Sequence, residues 1–199
     1  MLESGARKGS ELGRRAFIAT SGAAVVGFVL WAYQRRDPSR VEAAPDKPSK
    51  IVTIVEFTDA GVRKDVVKEP MVRKTDAEWK AQLSPDAYEI TRRAGTERPF
   101  TGELLNVHDK GVFRCICCDN ALYNSDTKFD SGTGWPSFWA PIAKENVLEL
   151  TDMSLAMVRT EVRCRLCDAH LGHVFNDGPD PTGLRYCMNS VAMRFAKAT

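Results

Sequence analysis

The stretch GVFRCICCDN, residues 111–120, holds three of the six cysteines in this 199-residue chain. Cys115 and Cys118 are separated by two residues, and the same spacing recurs at Cys164 and Cys167 in EVRCRLCDAH. Such a turn points two thiolates at one ion, and two turns complete the tetrahedral four-sulfur shell that zinc prefers. Two disulfides are the alternative, although adjacent Cys-x-x-Cys bridges are strained and usually redox-active. The spacing therefore predicts a zinc site.

Two cysteines remain outside this set. Cys117 is either a small buried residue or a thiol that joins the chemistry. Cys187 stands alone in LRYCMNS, with Arg185 two residues before it and Asn189 two residues after it. On an extended strand these three would face one side, and a guanidinium beside a thiol favours the reactive thiolate. Cys187 is thus a candidate nucleophile, the alternative being a buried inert cysteine.

Two further motifs carry candidate site residues. His170 and His173 in HLGHVF can lie close together if the backbone turns at Gly172. They could be structural histidines, metal ligands or general acids. The ligand interpretation is the weaker one because four thiolates already complete the coordination of zinc. From its residue type alone, Trp135 in GWPSF fits a core residue.

The composition is that of an ordinary soluble domain with a tail, 43% hydrophobic and 27% charged. The net charge is only +2, and no basic block follows residue 50, so nothing indicates a nucleic-acid surface. Basic residues concentrate near the start, where Arg14 and Arg15 precede an apolar run at residues 17–33. This pattern resembles a bacterial Tat export signal, with a plain membrane anchor as the alternative.

The domain organisation follows from these segments. Residues 1–33 form the Tat-type signal or membrane anchor, residues 34–50 a proline-containing solvated linker, and residues 51–199 the folded domain. We expect an exported, periplasmic bacterial protein, either released or held at the inner membrane by residues 17–33. Export in the folded state would allow zinc to bind in the reducing cytoplasm first.

Local patterns predict two helices followed by a β-rich region. The β-branched run at residues 51–57 predicts a strand, and a Thr75–Glu78 capping box opens a helix that reaches Leu83. A second helix begins at Ser84-Pro85 and stops at Gly95. Beyond residue 100, short apolar runs separated by turn residues predict strands. In residues 158–163 the alternation predicts a half-buried strand with Arg159, Glu161 and Arg163 on its polar face.

Several motifs in one order resemble the peptide-methionine (R)-S-oxide reductase, or MsrB, family over about residues 76–195. The segments are interleaved with the two cysteine pairs and comprise TERPFTGEL (96–104), FDSGTGWPSF (129–138), HLGHVFNDGP (170–179) and RYCMNS (185–190). The resemblance implies a mainly β fold of two packed antiparallel sheets, with short N-terminal helices and a structural zinc site. It also implies reduction of methionine-(R)-sulfoxide, free or in proteins.

The resemblance further implies roles for individual residues. Cys187 attacks the sulfoxide sulfur and remains as a sulfenic acid. Arg185 and Asn189 flank this nucleophile, and His170 and His173 lie in the active site, with His173 closer to the reacting oxygen. In substrate binding, Trp135 packs against the terminal methyl group and Asp177 helps to orient the histidine loop. Zinc is held by Cys115, Cys118, Cys164 and Cys167.

One position departs from the family pattern. Many members carry a resolving cysteine in SGCGWPSF, whereas this chain has Thr133 there. We therefore expect direct reduction of the sulfenic acid by a thioredoxin-like or other thiol partner, with Cys117 as the alternative resolving thiol. Two other functions stay open from the cysteines alone: a zinc-ribbon binding module without catalysis, and a thiol–disulfide oxidoreductase.

Overall fold

The computed structural model describes residues 49–153 and 158–199, and within these ranges the protein is mainly β. The described strands are β1 (Ile51–Phe57), β2 (Arg63–Pro70), β3 (Gly111–Cys115), β4 (Ala121–Asn124), β5 (Lys128–Phe129), β6 (Ser137–Phe138), β7 (Val147–Asp152), β8 (Arg159–Cys164), β9 (His170–Phe175), β10 (Arg185–Met188) and β11 (Met193–Lys197). The described helices are α1 (Asp76–Gln82) and α2 (Pro85–Arg93).

All strand pairs described are antiparallel, and they form three sheets. The largest sheet has the order β5-β6-β10-β9-β8-β7, and a second sheet has the order β11-β3-β4. Strands β1 and β2 form a separate hairpin. The predicted mainly β, antiparallel architecture is therefore confirmed, with the hairpin as an addition to the two expected sheets.

Aromatic side chains join the two larger sheets. Tyr123 of β4 stacks on Phe138 of β6 with ring centroids 4.3 Å apart, and Phe113 of β3 meets the same ring edge-on at 4.9 Å. All three rings are fully buried. Burial of such rings removes a large apolar area from water, and stacked or edge-on pairs add further attraction. This contact forms the centre of the core between the two larger sheets.

Both helices begin where the sequence predicted. At α1, Thr75 and Glu78 form the complete capping box, in which each side chain satisfies a backbone donor of the other residue. At α2, Ser84 is the N-cap and Pro85 occupies the first turn. Helix α2 ends at Arg93, because Ala94 adopts a left-handed conformation and closes the helix just before Gly95.

A buried asparagine holds the hairpin against the rest of the domain. The Asn146 side chain is fully buried and accepts the Val55 N–H at 2.7 Å. Its amide group donates to the carbonyls of Val55 and Ala121, each at 2.8 Å. Because buried polar groups are costly when unpaired, this three-way contact links β1 to β4 specifically. Nothing in the sequence pattern singled out Asn146.

The predicted export signal lies outside the described residues, as does the linker apart from residues 49 and 50. Among residues 49–153 and 158–199, no helix has the length and apolar character needed to cross a membrane.

Candidate active site and metal centre

Strand pairing in the six-stranded sheet sets chemically active side chains in one row. Cys187 of β10 lies opposite Ser137 of β6 on one side and His173 of β9 on the other. His173 lies in turn opposite Glu161 of β8. Directly opposed residues project from the same face, with Cβ atoms about 4.5–5.5 Å apart. The register therefore places a thiol, a hydroxyl, an imidazole and a carboxylate next to one another.

The two histidines lie together, as their motif predicted. Their ring centroids are 5.5 Å apart, although residues three apart on a regular strand face opposite sides. A register shift between Val162 and Arg163 bends the pairing of β8 with β9 at this point. A Cβ at Gly172 would lie 2.1 Å from the Cys187 carbonyl oxygen, so only glycine fits this close approach of β9 to β10.

Each histidine is held by a carboxylate that sequence reasoning did not identify. The Nε2 atom of His173 lies 2.9 Å from Asp152 Oδ2, and the Nδ1 atom of His170 lies 2.6 Å from Glu161 Oε1. Burial lowers the pKa of His170, and the contact with Glu161 opposes this only in part. His170 Nε2 is buried without a hydrogen-bond partner among the described residues.

The placement of Glu161 corrects the pattern of strand β8. The sequence predicted Glu161 on the polar face of a half-buried strand, whereas its side chain is buried and ion-paired with Arg163. Burial alone would raise the pKa of Glu161, but hydrogen bonds from Arg163 and His170 bring it below its ordinary value. The polar face of β8 therefore faces the candidate site rather than solvent.

Hydroxyl groups surround the Cys187 thiol. The Thr133 Oγ1 atom lies 3.9 Å from Cys187 Sγ and 2.8 Å from Ser131 Oγ, which lies 2.7 Å from Ser137 Oγ. Burial raises the pKa of Cys187 above its ordinary value. The Thr133 hydroxyl, the Arg185 charge and the Ser137 hydroxyl oppose this rise without cancelling it. At neutral pH the free site therefore holds mainly a thiol, contrary to the thiolate expected from the Arg185 neighbour alone.

Asp177, predicted to help orient the histidine loop, binds Arg185. Its two carboxylate oxygens accept from Arg185 Nε and Nη2, each at 2.9 Å, in a bidentate pair. The Arg185 guanidinium also stacks over the Phe175 ring at 4.5 Å. Asp177 follows the end of β9, and β10 pairs Arg185 with Phe175, so the carboxylate lies beside the guanidinium. The positive charge of the Arg185 guanidinium therefore acts on both Asp177 and Cys187.

Glu97 connects the loops on either side of the site, and sequence reasoning gave it no role. Its carboxylate accepts from the backbone N–H groups of Ser190 at 2.6 Å and Val191 at 3.0 Å. Its backbone carbonyl accepts from the half-buried Trp135 indole at 3.2 Å. The segment after the nucleophile and the candidate aromatic wall are thus held by one residue.

Asn189 lies beyond the end of β10 and is buried. Its side-chain oxygen accepts the Glu97 N–H at 3.0 Å, and its amide donates to the Leu171 carbonyl at 3.0 Å. Both polar atoms are therefore bound to backbone groups. This geometry makes Asn189 a positioning residue that fixes the turn after Cys187, rather than a group presented beside Arg185.

The four cysteines of the two Cys-x-x-Cys turns converge on one point. Their sulfur atoms all lie within 4.8 Å of one another, with Cys115 3.6 Å from Cys167 and Cys118 3.5 Å from Cys164. Zinc–sulfur bonds of about 2.3 Å imply tetrahedral sulfur–sulfur edges of about 3.8 Å. The donor set and its spacing therefore fit a four-coordinate metal ion.

The Cys117 thiol contacts helix α2 and also neighbours the Cys115 and Cys167 thiols of this cluster. The thiol is buried and donates to Thr91 Oγ1 at 3.4 Å. The contacts of Cys187 come instead from Thr133, Ser137 and Arg185. The two thiols accordingly occupy different surroundings in the fold.

Comparison with known proteins identifies the family. Residues 83–197 match the family described as the SelR domain. A peptide methionine sulfoxide reductase MsrB from Hahella chejuensis is 58% identical over 127 residues, which are 64% of this chain and 91% of the relative. A protein of the same name from Herminiimonas arsenicoxydans is 56% identical over 62% of this chain and 90% of its own length. Another from Pseudomonas syringae is 58% identical over 61% of this chain and 93% of its own length.

The chain belongs to the MsrB family. The family match begins at Leu83, after the β1–β2 hairpin and helix α1, and ends in β11. Every predicted site residue of this MsrB-family chain lies inside the matched range. The carboxylates of Asp152 and Glu161 lie in the matched range as well. They can be recognised as partners of the two histidines only once the strand register is known.

We expect Arg185→Gln to move the pH profile of Cys187 alkylation to higher pH. The substitution removes a positive charge that lowers the pKa of this thiol, and only the thiolate is alkylated. The measurement is the rate of iodoacetamide modification of the peptide containing Cys187, followed by mass spectrometry across a pH series. Arg63→Gln on the exposed face of β2 is the control. An unchanged profile in Arg185→Gln would show that the guanidinium does not act on the thiol.

Proposed function

We propose that this MsrB-family protein reduces methionine-(R)-sulfoxide to methionine, with Cys187 as the nucleophile. The single observation that supports this best is the row in which β10 and β9 set Cys187 opposite His173. A thiol aimed at sulfur and an imidazole beside it are the two groups that sulfoxide reduction requires. Family membership indicates the type of reaction. The row containing Cys187 and His173 indicates which residues would carry it out.

In the proposed reaction the Cys187 sulfur attacks the sulfoxide sulfur while the oxygen takes up a proton. The oxygen then passes from the substrate sulfur to the Cys187 sulfur as the transient sulfur–sulfur bond breaks, so that methionine leaves and Cys187 holds the oxygen as a sulfenic acid. Thus Cys–SH and the sulfoxide give Cys–SOH and the thioether, with the sulfur of Cys187 oxidised and that of methionine reduced. Two external thiols then return Cys187 to the thiol and yield a disulfide and water.

His173 is the proposed proton donor to the sulfoxide oxygen. Asp152 holds its Nε2 atom, which fixes the ring orientation and leaves Nδ1 directed elsewhere. His173 can donate through Nδ1 while Nε2 stays on Asp152. His170, whose pKa is lowered by burial, is neutral at pH 7 and uses Nδ1 on Glu161.

Trp135 is the proposed wall for the terminal methyl group of the substrate. Its ring is half-buried, and the indole N–H is occupied by the Glu97 carbonyl. The ring is therefore fixed in orientation and presents its apolar surface to a ligand. The thiol, the proton donor and this wall together match a small dipolar sulfoxide with an apolar methyl group.

Zinc is the proposed ion for the four-thiolate cluster. Cys115, Cys118, Cys164 and Cys167 would hold it, and a closed four-sulfur site stabilises the fold without exposing a position for substrate. A thiol–disulfide oxidoreductase using the Cys-x-x-Cys pairs is the second candidate for these cysteines. The convergence of all four sulfurs on one point favours the metal. A binding module without catalysis would give no role to the row of reactive side chains around Cys187.

For the location, we further propose export to the periplasm through the Tat-type segment at residues 1–33, with or without retention at the inner membrane. The twin arginine before an apolar run supports this, and fractionation of cells carrying lysines at positions 14 and 15 tests it.

We expect turnover of the R epimer alone when N-acetylmethionine sulfoxide is offered as separated epimers. Cys187→Ser should lower kcat/KM by about three orders of magnitude or more, because a hydroxyl is a far weaker nucleophile at neutral pH. The same variant should keep its metal content and circular dichroism spectrum, which serves as the control for folding. Equal consumption of both epimers would refute the assignment.

We expect one zinc ion per chain and a sharp loss of thermal stability when any one ligand thiol is replaced. Cys118→Ser leaves three ligands, and binding energy that contributes to folding is lost with the ion. The measurements are metal analysis and thermal unfolding. Cys117→Ser is the matched control, since that thiol contacts Thr91. Metal release from the control but not from Cys118→Ser would contradict the ligand assignment.

We expect a trappable sulfenic acid on Cys187 after one equivalent of substrate without reductant. The nearest position for an internal resolving group is Thr133, whose hydroxyl cannot form a disulfide. Thr133→Cys should instead give a disulfide between the introduced thiol and Cys187, because the native Oγ1 already lies 3.9 Å from that sulfur. Thr133→Ser is the matched control and should keep the sulfenic acid.

Mass spectrometry after thiol trapping distinguishes these products. A Cys117–Cys187 disulfide in the native protein, together with lost thioredoxin-dependent turnover in Cys117→Ser, would overturn reduction by an external thiol.

A further inference from the structure

One side chain from each helix reaches a cysteine turn of the four-cysteine cluster. Gln82, the last residue of α1, donates from Nε2 to the Cys117 carbonyl at 2.8 Å. Arg92, in the last turn of α2, donates from Nη1 to the Cys167 carbonyl at 3.0 Å. Because Cys117 and Cys167 lie in different turns, the two helices hold one turn each. A turn that is bound from outside keeps the direction of its ligand thiolates.

The backbone between β2 and α1 adds a third contact. The Val72 N–H donates to the carbonyl of Leu166, which lies between the two ligands of the second turn, at 2.8 Å. Val72 also packs against the hydrophobic cluster that contains the buried cysteines. The second turn is therefore bound twice and the first turn once. We call the three donors, Val72, Gln82 and Arg92, the clamp.

The side chains of the clamp are themselves fixed. The Arg92 guanidinium lies over the Trp79 ring at 4.7 Å, and that ring is buried. The Gln82 amide oxygen accepts from Lys74 Nζ, while the amide nitrogen binds the first turn. Side chains that are already held by a neighbour lose less rotamer freedom when they bind a second group. Both hydrogen bonds to the turns are therefore preorganised.

Charge favours the same arrangement. Four thiolates around a divalent ion leave an excess of negative charge, and three of the four ligand cysteines are buried. The Arg92 guanidinium brings a positive charge to the second turn, and Lys74 brings another to the outer side of Gln82. Opposite charges near a buried group are screened less by salt than those at an exposed surface. Loss of Arg92 would thus remove a hydrogen bond and a compensating charge together.

Fixed turns have a direct effect on the lifetime of a bound ion. An ion leaves a four-coordinate site only after its thiolates detach in succession. A thiolate that detaches from a fixed turn stays at high effective concentration and binds again, whereas a turn that swings away lets the ion escape. Contacts that fix both turns should therefore slow the release of the ion.

We propose that Gln82 and Arg92, together with the Val72 backbone, are positioning residues that retain the metal ion by holding both cysteine turns. Val72 and Gln82 precede Leu83, where the family match begins, so the clamp extends beyond the matched domain. This proposal rests on the proposed zinc site and is independent of the reaction at Cys187.

The test measures how fast zinc passes from the full chain to an excess of the chromophoric chelator pyridylazoresorcinol, well below the melting temperature. Arg92→Gln and Gln82→Met each remove one contact with a turn, and each should release zinc about tenfold faster than the native protein. Arg92→Lys keeps the charge and one donor, so it should recover part of the retention. Arg93→Gln removes the same charge from the neighbouring exposed arginine and should leave the rate unchanged.

Ser84→Ala separates the clamp from general stability. It removes the N-cap of α2, so the melting temperature should fall by a few degrees, but the three clamp donors remain. Zinc release from this variant should stay within twofold of the native rate. Equal acceleration in Ser84→Ala and Arg92→Gln, or native rates in both Gln82→Met and Arg92→Gln, would overturn the clamp proposal. A native protein that contains no metal would instead refute the proposed zinc site.

Discussion

The pairing of β10 between β6 and β9 is the constraint on which the site depends. It sets Ser137, Cys187 and His173 on one face of the sheet, and Glu161 follows on the next strand. Because side chains alternate with a period of two, a slip of one residue would carry Cys187 away from its neighbours. Gly172 permits the close approach that this register needs, since any side chain there would collide with the Cys187 backbone.

The electrostatic state of the site follows from burial and from how its charges are shared. Asp177 engages the Arg185 guanidinium in two hydrogen bonds, so the positive charge does not act on Cys187 alone. Burial consequently dominates and raises the pKa of the thiol. In the proposed reaction the proton of the neutral thiol leaves as the sulfur attacks, and it replaces the proton that His173 gives to the oxygen.

Short-range patterns made part of this structure predictable. The spacing of Cys115, Cys118, Cys164 and Cys167 specified the cluster, because a two-residue turn restricts where paired thiols point. The capping box at Thr75 and the proline at residue 85 located both helices through local hydrogen bonding. Trp135 and the histidine pair came from motifs rather than from geometry.

The remainder depends on contacts between distant segments. Asp152 and Glu161 become partners of the histidines only through the pairing of β7, β8 and β9, including a register shift that no local pattern shows. The ion pair between Asp177 and Arg185 likewise arises only from the pairing of β10 with β9. Asn146 is an unremarkable polar residue in sequence, and only tertiary packing makes it the buried link to the hairpin.

The four-cysteine cluster has a consequence for the unfolded chain. Cys118 and Cys164 are 46 residues apart, and the segment between them carries Thr133, Trp135, Asp152 and Glu161. An ion joining its ends would close that segment into a loop, which by polymer statistics removes about 3 kcal/mol of chain entropy from the unfolded state. The closed segment would then sample fewer conformations before the strands have paired, so that folding begins from a smaller conformational search.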